Sequence, residues 1–200
     1  METLLSMCVG IGLSAACGFR VFVPLFVMSL ASQAGHLALS PGFEWIGTSP
    51  ALLAFAIATC LEIAGYYVPW VDNVLDTIGT PAAIIAGIMV MASAVSGLSP
   101  FLKWALAVIA GGGAAATVQV ATGMVRGASS LTTGGLGNPL IATLEVGGAM
   151  ILSLLAIVLP VLAGLVVVGI LVFAAKKVFE RSRRVSNPGS EPFITVSRRQ

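Results

Sequence analysis

The sequence predicts an all-α membrane protein of about six transmembrane helices, the first of them kinked or broken near Arg20 and Pro24. Three observations predict it. Hydrophobic residues make up 58% of the chain and charged residues only 9%, whereas a soluble domain carries about a quarter charged residues. Mean hydropathy is +1.03. The apolar residues also fall in runs of the length a bilayer requires, which is about 20 residues for a helix.

The elements follow from where those runs break. Residues 4–34 are too long for one straight span. They hold two irregularities, Gly18-Phe19-Arg20 and Pro24, whose ring displaces the carbonyl four residues back. A loop over 35–49 contains His36, the single histidine. A second span over 50–68 ends in Tyr66-Tyr67-Val68-Pro69-Trp70, which reads as an interfacial aromatic belt with a helix stop. A short amphipathic piece over 71–78 precedes a third span that starts at Pro81.

Pro100 opens a fourth span that closes near Arg126. Its middle, Gly111-Gly112-Gly113-Ala114-Ala115-Ala116, is small enough for another backbone to approach closely. That face would also suit association with a second copy of the chain. A Ser/Thr/Gly-rich loop follows over 127–138. The run 139–175 would be about 55 Å long as one helix, so it divides near Pro160 into a fifth and a sixth span. Residues 1–178 thus form a membrane domain, and 179–200 a polar tail that reads as disordered.

Charge placement gives the orientation. Lys176, Lys177, Arg181, Arg183 and Arg184 follow an apolar helix directly, which marks a cytoplasmic anchor rather than a nucleic-acid surface. With six spans, both termini then fall in the cytoplasm, and Arg126 joins the basic tail there. Glu2 in place of early Lys or Arg argues against a cleaved signal peptide. The three cysteines, Cys8, Cys17 and Cys60, have no metal or redox spacing and read as small helix-packing side chains. No cofactor, metal or catalytic residue is expected.

Two glutamates interrupt apolar segments in near-identical words: Ile57-Ala58-Thr59-Cys60-Leu61-Glu62 and Ile141-Ala142-Thr143-Leu144-Glu145. An intramembrane carboxylate is costly unless paired, protonated or wetted, so it marks a functional position. The order of small-residue helix, glutamate helix and proline-started helix occurs twice, over 4–98 and 100–177. With three spans per unit, the second copy would be inverted, as in many transporters. One detail resists that symmetry: both glutamates fall in the cytoplasmic half, where a strict mirror would separate them.

Arg20 is the natural counter-charge, because a guanidinium does not give up its proton in a protein. It either binds an anionic group of a solute or bridges to Glu62 or Glu145. Gln119 and Thr117 add polar atoms to the fourth span, and Asn138-Pro139 reads as a helix cap with proline in the first turn. Asp72, Asn73 and Asp76 form a cytoplasmic acidic cluster. It is either a solvated capping loop or a set of oxygen ligands for a hard cation.

Three stretches point to a known family: 12–25 (GLSAACGFRVFVPL), 67–77 (YVPWVDNVLDT) and 132–139 (TTGGLGNP). With these the chain resembles, over about residues 4–175, a bacterial integral-membrane family called domain of unknown function 4126. The resemblance implies a membrane location, here the bacterial cytoplasmic membrane, and no activity.

The leading expectation is a small secondary transporter or channel-like carrier for a small polar or ionic solute. Arg20, Glu62, Glu145, Gln119, Thr117 and Asn138 would line its path, with proton or cation coupling through a glutamate. The alternative is a non-catalytic scaffold or accessory subunit whose buried charges fix helix packing. A metal-dependent enzyme acting on lipid head groups through Asp72 and Asp76 is the weakest, since it lacks a nucleophile and a phosphate clamp.

Overall fold

Proline stands in the first turn of five helices, where its missing N–H costs no helical hydrogen bond. The structure is a computed structural model that describes residues 2–186, without the side chains of 69, 70, 72, 73, 76 and 177–186. All regular structure among the described residues is helical: α1 (Glu2–Cys17), α2 (Phe22–Gln33), α3 (Ser49–Gly65), α4 (Pro69–Ala94), α5 (Pro100–Leu106), α6 (Gly113–Thr133), α7 (Asn138–Val158) and α8 (Pro160–Ser186). A π-helical stretch, Ala107–Gly112, joins α5 to α6, so 100–133 is one continuous rod.

Helices α6 with α5, α7 and the Thr77–Ala94 part of α4 are long and apolar enough to cross a membrane, and four further apolar helices are shorter. The outside of the bundle is apolar too. Phe101, Ile109, Val158, Leu165 and Phe173 are exposed. A surface of this kind suits hydrocarbon, not water.

The break in the first segment is where the sequence places it, but its consequence is larger than a kink. Residues 18–21 are not helical, and the chain reverses there. Contacts along α1 give its direction. A Cβ at Gly97 would stand 3.8 Å from Thr3 Oγ1, the Ser14 hydroxyl donates to the Gly87 carbonyl at 2.7 Å, and a Cβ at Gly18 would stand 2.6 Å from Val118 Cβ. Helix α1 therefore runs from the C-terminal end of α4 back along it. Helix α2 then returns. Its first residues meet Glu62 near the end of α3, its Met28 accepts a hydrogen bond from Ser93 at 3.4 Å, and its Ser29 donates to the Ile46 carbonyl at 2.6 Å, just before α3. The pair is a helical hairpin with both open ends at one end of the bundle and its tip inside. An irregular tip at that depth is tolerated only where protein surrounds it, and Arg20 at the tip is 1% exposed.

This changes the relation of the two chain ends. Helix α8 starts beside Cys8 at Gly164 and runs parallel to α1, with Val167 clustered against Ala15. Glu2 and Ser186 therefore lie at opposite ends of the bundle, in place of the shared side expected from six crossings. The proposed repeats also diverge in path, since the first small-residue segment folds back while 100–133 runs straight through. A cysteine at Thr3 and one at Lys176, each in a chain lacking the native cysteines, should react with an impermeant maleimide from opposite faces of sealed vesicles. Labelling of both from one face would contradict the hairpin.

Other boundaries shift for local reasons. The amphipathic piece and the span from Pro81 are one 26-residue helix with Pro81 inside it. Interior prolines are tolerated in membrane helices because neighbouring groups serve the affected carbonyl. The fourth span passes Arg126 and ends at Thr133. Its Ser/Thr-rich end stays helical because Thr132 and Thr133 donate to the Ala128 and Ser129 carbonyls, each at 2.8 Å. Gly134, at φ 63°, then ends the helix in the left-handed region that glycine adopts without strain. The split at Pro160 is as expected. Helix α8 continues to Ser186, and only 187–200 of the tail lie outside the described residues.

The small-residue stretch is used inside the chain. A Cβ at Gly111 would stand 2.6 Å from the Gly87 carbonyl oxygen, and one at Gly87 would stand 2.7 Å from Ala115 Cβ. Backbones of α4 and the π-helical stretch therefore touch, which sets α1 between them and α8.

Candidate functional site

The tip of the hairpin delivers Arg20 to the start of α7. Its Nη2 donates to the Ala142 carbonyl at 3.1 Å and pairs with Glu145 Oε2 at 3.0 Å. Of the two sequence-level partners for Arg20, Glu145 is the one that bridges. Glu145 is also held by Arg126 on α6. Arg126 Nε donates to Glu145 Oε1 at 2.9 Å, and Arg126 Nη2 pairs with Oε2. One carboxylate thus serves two guanidiniums, and both guanidiniums lie against the Tyr66 ring, at 3.6 Å for Arg20 and 4.2 Å for Arg126. A cation over an aromatic face gains electrostatic attraction, most of all where water is excluded.

Glu62 does something different. Its two oxygens accept from the backbone N–H groups of Val21 at 2.8 Å and Phe22 at 3.0 Å. The first N–H groups of a helix have no partner within it, and α2 has no capping side chain of its own there. A carboxylate from α3 therefore closes the N-terminus of α2, where the helix dipole favours negative charge. Thr59, one turn earlier on α3, is buried, and its hydroxyl makes no hydrogen bond among the described residues.

Both glutamates therefore meet the same residue neighbourhood, 20–22. Their similar depth, which resisted a strict mirror, follows from this shared target. Gln119 lies close by: a Cβ at Gly79 would stand 3.0 Å from its Nε2 and 3.8 Å from the Tyr66 hydroxyl. A cavity of about 320 Å³ opens between α4 and α6, lined by Thr80, Gln119, Gly123, Arg126, Gly127 and Ser130. Arg126 has one edge on Glu145 and borders this cavity as well.

Two expected residues stand apart. Thr117 donates to the Gly113 carbonyl at 2.8 Å, within its own helix. Asn138 makes no side-chain cap on α7. It donates to Ser130 Oγ at 3.2 Å, while Thr133 Oγ1 accepts from the Gly137 N–H. The side chains of Asp72, Asn73 and Asp76 lie outside the described residues. Among the described residues, no group of three His, Cys, Asp or Glu side chains stands where it would hold a metal.

Two members of the cluster escape a reading by composition. Arg126 looks like a cytoplasmic flank and Tyr66 like an interfacial ring, yet both are buried. A signal exists in the spacing. Tyr66 is four residues after Glu62, and Arg126 is seven after Gln119, so each shares a helix face with a candidate already in hand.

No curated protein and no solved structure matches the chain. Residues 7–179 match the sequence model described as domain of unknown function (DUF4126), and this 200-residue chain belongs to that family.

Proposed function

We propose that this protein is a small membrane carrier for a polar or ionic solute, with Glu145 exchanging partners between Arg20 and Arg126 during the cycle. The observation that supports it most is the position of Arg126: it holds Glu145 on one side and borders an open cavity of about 320 Å³ on the other. A bridge that served packing alone would have no use for a polar opening beside it. Sharing one carboxylate between two cations gives Glu145 two places to go, and its protonation would weaken both pairs together. The basic end of α8 is the cytoplasmic end under the positive-inside rule. This puts the cavity, which faces residues 119–130, nearer the cytoplasm of a bacterial inner membrane, with the open ends of the hairpin outside.

One observation favours the scaffold reading. Glu145 is only 5% exposed and accepts from both arginines, which is also how a static clamp is built. Flux separates the two. Reconstituted protein should move protons or a small ion across vesicles above the empty-liposome rate. Glu145→Gln should lower that flux by about tenfold or more, on the scale of a lost charge-assisted hydrogen bond. A folded Glu145→Gln with unchanged flux would remove the coupling role, and no flux from the native protein over a panel of ions would leave the scaffold.

A further inference from the structure

We infer that the C-terminal end of α3, with the turn 66–68 that follows it, is a gate that swings away from the hairpin tip and lets water reach Arg20. The inference deepens the carrier reading and rests on it for what passes, not for the movement. Its first support is a set of polar groups left unserved beneath that end of α3. Arg20 is almost completely buried, yet its Nε and Nη1 make no hydrogen bond among the described residues. The buried Thr59 hydroxyl makes none either. Thr59, Glu62 and Tyr66 share one face of α3 by their spacing. Glu62 on that face holds the N–H groups of Val21 and Phe22, and the Tyr66 ring lies 3.6 Å from the Arg20 guanidinium carbon. The unserved atoms therefore sit where α3 meets the tip. A buried polar group without a partner loses its hydration and gains nothing in return. The closed packing carries that cost, and opening removes it by letting water in.

Helix α3 is also placed to move. Leu53, Ile57 and Leu61 on its other face are exposed, so an outward swing meets lipid. Its N-terminal end is fixed. Ile46, just before it, is fully buried and accepts from the Ser29 hydroxyl at 2.6 Å, and Thr48 caps the helix. The C-terminal end has a lighter fastening to α7: the Tyr67 hydroxyl and Thr143 Oγ1 stand 2.7 Å apart, with both residues exposed. Water replaces a hydrogen bond between exposed hydroxyls at small net cost. The first turns of α4 travel with α3, since a Cβ at Gly65 would stand 2.8 Å from Leu75 Cδ1 and 3.0 Å from Val71 Cγ1. Gly79 and Pro81 lie just beyond, inside α4. Proline removes a helical hydrogen bond, and helices bend at such points. This places the hinge at 79–81. In the orientation set by the basic end of α8, the gate opens to the cytoplasm.

Amide exchange reads the gate directly, because the Val21 and Phe22 N–H groups are bonded to Glu62 and come free when α3 leaves. Hydrogen–deuterium exchange is measured on the full-length protein in nanodiscs, with the amides of the buried Val90 and Met91 as references. Tyr67→Phe keeps the ring and removes the latch. It should raise exchange at Val21 and Phe22 by about two- to tenfold, the factor that one hydrogen bond contributes, and leave Val90 and Met91 unchanged. Pro81→Ala, which restores a helical N–H, should lower exchange at Val21 and Phe22. An arginine-selective dicarbonyl reagent, read at Arg20 by mass spectrometry, should follow the same order across the three proteins.

Faster exchange confined to Val21 and Phe22, with faster modification of Arg20, supports the gate. An equal rise at Val90 and Met91 means that the whole bundle has loosened and overturns it. Unchanged exchange in a folded Tyr67→Phe overturns it as well, and unchanged exchange in Pro81→Ala overturns the hinge. Opening in a protein that shows no flux supports the gate and counts against the carrier. Flux with Val21 and Phe22 as protected as Met91 in native protein and Tyr67→Phe alike overturns the gate and leaves the carrier reading standing.

Discussion

Glu145→Ala is expected to destabilise the bundle by about 3–5 kcal/mol, the range found when one member of a buried ion pair is removed. The expectation rests on what remains. Arg20 and Arg126 would keep their charges, lie within reach of one another around Tyr66, and lose the carboxylate both use. Neither guanidinium sheds its proton as an escape. Glu145→Gln keeps a carbonyl oxygen for hydrogen bonding and should cost less, about 1–3 kcal/mol. Combining Glu145→Met with Arg126→Met should be milder than the sum of the single changes, with a coupling of about 1–3 kcal/mol. Recovery is incomplete in that pair because Arg20 stays. Denaturant unfolding in detergent micelles measures each value. A loss below about 1 kcal/mol for Glu145→Ala would mean that water or lipid already solvates the arginines.

The second large effect is steric. Gly18→Val should prevent the hairpin tip from docking on α6. A Cβ there would lie 2.5 Å from the Ala115 carbonyl oxygen, 2.6 Å from Val118 Cβ and 3.0 Å from the Gln119 backbone nitrogen. Two of these neighbours are backbone, so no rotamer change relieves the clash. Overpacking typically costs about 1–3 kcal/mol, and a rigid wall puts this site at the upper end or beyond. Moving the tip also moves Arg20, so the damage reaches the Glu145 bridge. A matched control is Gly147→Ala on α7, where a Cβ meets nothing within 4 Å. That change should be neutral or stabilising by about 0.5–1 kcal/mol, through helix propensity. Melting temperatures of the two purified variants decide it, and a Gly18→Val protein as stable as Gly147→Ala would refute the docking argument.

What was legible in the sequence and what was not divide along physical lines. Helix starts were legible because proline and its preceding cap act locally: Thr48 and Ser99 each accept from a backbone N–H of the helix they open, at 3.4 Å. The buried charges Arg20, Glu62 and Glu145 were legible because a charge within an apolar run has few inexpensive explanations. The reversal at 18–21 was not, since a break looks the same in sequence whether the chain goes on or turns back. Contacts far along the chain decide that, such as Ser14 with Gly87 and Met28 with Ser93. The burial of Arg126 is hidden in the sequence for a related reason. The Ser/Thr/Gly composition that follows it mimics a loop, but hydroxyl groups bonding to their own helix keep it wound. Partner choice was illegible throughout: nothing local says that Glu62 closes a helix while Glu145 holds two cations.

The hairpin tip also has a schedule. The chain leaves the ribosome N-terminus first, and Arg20 precedes the carbonyl it binds by 122 residues. Glu62 emerges early enough to close α2, but Glu145 arrives only with α7. For most of synthesis the buried cation at the tip has no bridging carboxylate, and a chain stopped before α7 would strand a charge in lipid. The first helical pair to be made is thus among the last to become secure, and its maturation depends on the final third of the protein.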